Sequence, residues 1–154
     1  MLISFDLDDT LICHDLQVPR EPLRAPGWKR FQVQEPLRLG TVDLAQNLQN
    51  DGHQLMIYTT SLRKPSQVKR WLGFYGFRAS EVINADLHAR KVGQMARQYS
   101  KLPSYFGVSL HVDDENFCAM GDRFGFKWLM IEPRDLGWTD KVLAAVREIE
   151  TQKP

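Results

Sequence analysis

With 154 residues, of which 43% are hydrophobic and 25% charged, the chain matches one ordinary globular domain, and neither a disordered segment nor a membrane protein has this balance. Twenty Lys and Arg against nineteen Asp and Glu leave a net charge of +1, so no overall field draws the chain to nucleic acid or an anionic membrane. The start, Met1-Leu2-Ile3-Ser4-Phe5, has no basic leader, and no apolar run approaches the roughly 20 residues needed to cross a bilayer. Cys13 and Cys118, the two cysteines, lack any metal-ligand spacing, and free thiols in a reducing cytoplasm are the expectation.

In chain order, Leu2 to Phe5 reads as a buried strand that ends in carboxylates. Residues 12–38, rich in Pro and charge, read as an irregular, flap-like segment. Thr41 to Asn50 has Val42, Leu44, Ala45 and Leu48 at helical spacing, with Asp51-Gly52 as the stop. Gln54 to Thr60 is a second strand ending in the hydroxyls Thr59, Thr60 and Ser61. Pro65 opens a helix whose stripe is Val68, Trp71, Leu72 and Tyr75. A short strand at Glu81 to Asn84, a helix from about His88 to Tyr99, a strand at Val108 to Val112 and a short helix after Glu115 follow. A strand at Lys127 to Ile131 and an amphipathic helix using Val142, Leu143, Val146 and Ile149 complete the chain. Strands alternating with helices predict an α/β, doubly wound, Rossmann-like parallel sheet of about five strands in a single domain spanning residues 1–154. Ligands of such sheets bind at the carboxyl ends of the strands, where the polar clusters of this chain fall.

Asp6-Leu7-Asp8-Asp9-Thr10 places two carboxylates two positions apart directly after the first strand. Held close, they repel unless a cation neutralises them, and hard oxygens suit Mg²⁺ together with substrate phosphate. The plainer reading is a solvated turn with helix-capping residues. Thr59, Lys91 and the Asp113-Asp114 pair add the other groups that phosphoryl transfer needs, which favours a site.

With these in order, the chain resembles the haloacid dehalogenase superfamily over essentially its whole length. Phe5-Asp6-Leu7-Asp8-Asp9-Thr10-Leu11 is similar to motif one, Ile57-Tyr58-Thr59-Thr60 to motif two, Lys91 to motif three and Leu110-His111-Val112-Asp113-Asp114 to motif four. The resemblance implies a Mg²⁺-dependent phosphatase in which Asp6 takes the phosphoryl group as an aspartyl phosphate. It implies that Asp8 is acid and base, with a pKa raised toward neutrality. It further implies that Thr59 binds a phosphoryl oxygen and that Lys91 offsets charge in the transition state. The metal would be held by Asp6, the Asp8 carbonyl and Asp114, with Asp113 orienting Lys91 or a water. Thr60 is the alternative to Thr59, and Lys101 the rival of Lys91.

Neither position at which the family carries a cap domain has a sizeable insertion, so the resemblance is to the capless branch. That implies a phosphorylated substrate, macromolecular or held partly by a second protomer of a homo-oligomer. Arg20, Arg24, Lys29, Arg30, Arg63 and Lys64 are candidates to contact it or are surface charges, and Trp28 is a candidate to meet it. His14, His53, His88 and His111 have no metal-ligand spacing, and His111 reads as structural. Two alternatives stand beside the phosphatase: a receiver-like phosphoacceptor domain, against which the motif order argues, and a catalytically silent binding module on the same fold.

Overall fold

Short β-branched and apolar runs build one parallel sheet. Its strands are β1 (Leu2–Phe5), β2 (Gln54–Tyr58), β3 (Ala79–Ile83), β4 (Leu110–Asp113) and β5 (Lys127–Met130), in the order β3-β2-β1-β4-β5. The computed structural model describes residues 1–24, 27, 35–116 and 118–152. Parallel neighbours require crossovers, which α1 (Thr41–Asn50), α2 (Pro65–Phe74), α3 (Ala85–Val92) and α4 (Cys118–Phe124) supply before α5 (Trp138–Thr151) closes the chain. Side-chain alternation splits the sheet into two buried faces. On one, Ile3, Phe5, Leu55, Ile57, Leu110 and Val112 pack with the apolar stripes of α1, α2 and α5. On the other, Met56, Tyr58 and Ile83 meet Leu87 of α3 and Phe106, while Gly121 of α4 lies against Trp128. This is the doubly wound architecture expected from the sequence. Among the described residues, no helix is long and apolar enough to cross a membrane.

Strand limits move by up to two residues from the sequence-based ones, and one helix moves at both ends for local reasons. The helix expected over His88 to Tyr99 begins at Ala85, because the Asn84 carboxamide accepts the Leu87 N–H at 2.9 Å and caps it. It ends at Val92, because Gly93 takes a φ of 66° that glycine tolerates, and a 3₁₀ turn, Gly93–Arg97, follows. A second 3₁₀ turn, Pro103–Phe106, was not foreseen.

The described parts of the irregular 12–38 segment are anchored. Glu21, buried, accepts the N–H groups of Gly40 and Val42 at 3.0 Å and so caps α1 from a distance. Trp28, Lys29 and Arg30, as well as the Cys118 side chain, lie outside the described residues. Arg38, only 2% exposed, donates to the carbonyls of Glu132 (2.9 Å), Asp135 (2.6 Å) and Thr10 (3.4 Å) and lies 4.9 Å from the centre of the Trp138 ring. It thereby ties the loop after β1 to the loop after β5. Arg38→Met should therefore cost about 3 kcal/mol, since it keeps much of the bulk but leaves buried carbonyls without donors. Urea titration would check this, and a loss under about 1 kcal/mol would show the staple to be dispensable.

Candidate active site

The register of the sheet brings the two acidic motifs together. Phe5 pairs with Val112, so Asp6, just past β1, and Asp113, the last residue of β4, lie side by side, and the Asp6 N–H donates to the Val112 carbonyl at 2.9 Å. Strand order reverses between β1 and β4, and this switch point is where a doubly wound sheet opens a crevice. Beyond Asp6 the chain turns sharply. The Leu7 carbonyl accepts from Leu11 (3.0 Å) and Ile12 (2.8 Å), Asp9 adopts a φ of 55°, and buried Leu7, Leu11 and Ile12 pin the turn to the core. Aspartate is among the few side chains that accept this left-handed conformation.

The cation facing these acids is Lys101, the rival candidate, and not Lys91, which the sequence reading set beside them. Lys101 is 3% exposed, and its ammonium donates to Asp6 Oδ1 at 2.7 Å and to Asp113 Oδ2 at 2.5 Å. Lys91 lies in the last turn of α3 with its side chain 40% exposed, paired with Glu81, and takes no part in the cluster. Asp113 is held further by His111, whose Nε2 lies 2.9 Å from Oδ2, and by the Glu115 N–H at 3.0 Å on Oδ1. Ser4 Oγ sits 2.6 Å from His111 Nδ1. Burial pushes the His111 pKa down to about 4, so the ring is neutral at neutral pH. A carboxylate can only accept, hence Nε2 carries the proton and Nδ1 accepts from Ser4. The reading of His111 as structural therefore becomes more specific: it orients Asp113.

Asp6, Asp113 and Asp114 each offer a carboxylate oxygen, all within 4.8 Å of one another. With all three ionised, the carboxylates exceed the Lys101 ammonium by two negative charges. The titration of the cluster reflects this. Burial, reinforced by the neighbouring Asp113, raises Asp6 to about 7 in spite of Lys101, and burial with Asp113 raises Asp114 to about 6. Burial also opposes ionisation of Asp113, but the His111 hydrogen bond and Lys101 outweigh it and hold this carboxyl well below the usual range. Lys101 is likewise disfavoured by burial, yet Asp6 and Asp113 keep it protonated. A divalent cation would supply the two missing charges, and the all-oxygen donor set fits a hard ion.

Cation binding should then compete with protons. Asp6 has a folded pKa above its unfolded value of 3.8, so without metal its contribution to stability is full below about pH 4 and is lost as pH rises through 7. Saturating Mg²⁺ should raise the melting temperature by about 5–10 °C at pH 8 and clearly less at pH 6. Equal shifts at the two pH values, seen by calorimetry, would show that any cation binds elsewhere.

Asp8 stands at the rim with its side chain 34% exposed. Arg63 grips it in a fork, Nη1 to Oδ2 at 2.7 Å and Nη2 to Oδ1 at 2.9 Å, and His14 Nε2 lies 3.1 Å from Oδ1. Arg63 also donates to Glu35 at 2.8 Å. Partial burial raises the Asp8 pKa, but Arg63 and His14 more than offset it, and the net shift is downward, opposite to the expectation of a raised value. Thr59, buried at the same sheet edge, accepts the Ser61 N–H at 3.1 Å, whereas Thr60 is exposed.

Lys101 could have been favoured on local context, since Arg90 and Lys91 suit the solvated last turn of a helix, whereas Lys101 precedes Leu102-Pro103 outside any helical stripe. The Arg63–Asp8 and Ser4–His111 partnerships span 55 and 107 residues and left no local signal. No family model matches the chain, and no curated protein matches it.

Proposed function

We propose that the protein is a Mg²⁺-dependent phosphohydrolase of the haloacid dehalogenase type, hydrolysing a phosphomonoester through an aspartyl phosphate on Asp6. The observation that carries this reading is the buried Lys101 ammonium bridging Asp6 and Asp113, with Asp114 completing an acidic cluster at the switch point of the sheet. Asp6 Oδ1 is committed to Lys101, which leaves the other carboxylate oxygen to attack phosphorus as the ester oxygen leaves. Asp8 would give that oxygen a proton and later take one from the hydrolytic water. Held by Arg63 it is a carboxylate, so acting as the acid requires Arg63 to release it. Lys101 and the Thr59 hydroxyl would stabilise charge on the transferring group. Asp6, the Asp8 carbonyl and Asp114 would hold the cation, while the hydrogen bonds on both oxygens of Asp113 suit it to orienting Lys101. The bound cation would add Lewis-acid polarisation of the phosphoryl oxygens.

The receiver-like alternative fits less well. Receiver domains have the strand order 2-1-3-4-5, whereas here it is 3-2-1-4-5, with the candidate nucleophile on the first strand. A screen of sugar phosphates, nucleotides and phosphopeptides, with and without Mg²⁺, tests the proposal. Turnover that requires Mg²⁺ and is best on a macromolecular phosphoester is expected, with small esters below about 10⁴ M⁻¹s⁻¹ in kcat/KM. No turnover above that of Asp6→Asn on any of these substrates would favour the silent binding module. A long-lived phosphoprotein would favour the receiver.

A further inference from the structure

Lys101 must hold two short hydrogen bonds from a stretch of chain that belongs to no helix or strand, lying between the 3₁₀ turns Gly93–Arg97 and Pro103–Phe106. A flexible side chain on an irregular segment places its charge only as well as the segment is held, and errors near 1 Å are costly in phosphoryl transfer. The fastening comes from a pair of buried residues outside the acidic cluster. Tyr58, the last residue of β2, accepts the Leu102 N–H on its hydroxyl at 2.7 Å, and the same hydroxyl lies 2.5 Å from His88 Nδ1. His88, on α3, has its other nitrogen 2.8 Å from the Tyr99 carbonyl.

The protons can be placed. A carbonyl only accepts, so His88 Nε2 donates to Tyr99, and in that neutral tautomer Nδ1 is an acceptor, to which the Tyr58 hydroxyl donates while it accepts from Leu102. Burial pushes the Tyr58 phenol pKa up, which keeps this donor intact. The result is one directed chain, Leu102 N–H to Tyr58 to His88 to the Tyr99 carbonyl, whose two ends grip the backbone on either side of Lys101. Tyr58 reaches it from the strand that ends beside Thr59, and His88 from a helix whose first turn is capped by Asn84. Both anchors therefore belong to regular elements, while the segment they hold does not.

We propose that Tyr58 and His88 are positioning residues that fasten the Lys101 segment and so set the lysine between Asp6 and Asp113. The effect on rate rests on the phosphatase reading; the effect on the segment does not. Tyr58→Phe keeps the ring and removes the hydroxyl. It should lower kcat by about 10- to 100-fold with KM little changed, while the Mg²⁺-induced rise in melting temperature persists, because Asp6, Asp113 and Asp114 are untouched. If Tyr58 acts through Lys101, its substitution should cost almost nothing further in a Lys101→Met background. Independently of any activity, the Nζ resonance of Lys101, sheltered in the wild type, should broaden or vanish in the ¹⁵N spectrum of Tyr58→Phe, and exchange of the Leu102 amide should accelerate. His88→Gln attacks the other end of the chain and should reproduce these changes, which keeps the test open should Tyr58→Phe fold poorly. An unchanged Lys101 resonance in both variants overturns the proposal whatever the substrate proves to be. So does a full-sized loss of rate for Tyr58→Phe in the Lys101→Met background. Absence of turnover in the wild type, with the resonance changes present, would instead count against the phosphatase reading alone and leave the fastening in place.

Discussion

Asp6→Asn should abolish turnover, with a loss of at least about 10⁴-fold, while leaving a folded protein. The amide matches the carboxylate in shape but is a poor nucleophile and a weak ligand for a hard cation. The stability of the variant has a sign that can be worked out. Burial raises the Asp6 carboxyl from 3.8 to about 7 in the folded protein, so the metal-free wild type loses stability as pH rises across that interval. The amide does not titrate. Metal-free Asp6→Asn should therefore gain on the wild type between about pH 4 and pH 7, and the melting-temperature advantage should be larger at pH 8 than at pH 5. It should also lose most of the response to Mg²⁺. Appreciable phosphatase activity in folded, purified Asp6→Asn would end the assignment of Asp6 as nucleophile. An advantage that shrank with rising pH would contradict the raised pKa.

Lys101→Met should lower turnover by about 10²- to 10³-fold, the usual loss when one group stabilising transition-state charge is removed. Its structural cost should be large as well. Met fills the space but leaves Asp6 and Asp113 facing each other without their cation, and breaking a buried pair in this way costs about 3–5 kcal/mol near pH 8. Because protonation of a carboxyl relieves that repulsion, the cost should fall as pH drops. Lys91→Ala should change neither property appreciably, since Lys91 is engaged in an exposed pair with Glu81 of the kind worth about 1 kcal/mol or less. Comparing rates and urea midpoints of the two variants tests the reassignment. Equal effects from the two substitutions would mean that the buried ammonium has no special part in the chemistry.

What the sequence determined by itself was whatever repeats over a short span. The apolar runs at Leu2 to Phe5 and Leu55 to Tyr58, the stripes of α1, α2 and α5, and the alternation of strands with helices lead to a parallel doubly wound sheet, because burial of one periodic face is a local property of the chain. Since polar clusters at strand ends must share the carboxyl edge of such a sheet, the sequence suffices to place Asp6, Thr59, Asp113 and Asp114 at one edge. Tertiary structure alone decided the partnerships. Lys91 and Lys101 are ten residues apart and chemically alike; what separates them is that Gly93 ends α3, so Lys91 stays on a solvated turn while the chain beyond it crosses over the site. Arg63 depresses Asp8 because the segment after β2 brings a guanidinium to a carboxylate 55 residues earlier in the chain. Burial moves the other way for Asp6, whose pKa rises because its own desolvation, reinforced by the Asp113 carboxylate across the β1–β4 pairing, outweighs the Lys101 ammonium. Charge, solvation and hydrogen-bond direction depend on which groups face one another across the sheet, and that pairing is fixed by the β1–β4 register and by the path of the Lys101 segment, neither of which local periodicity encodes.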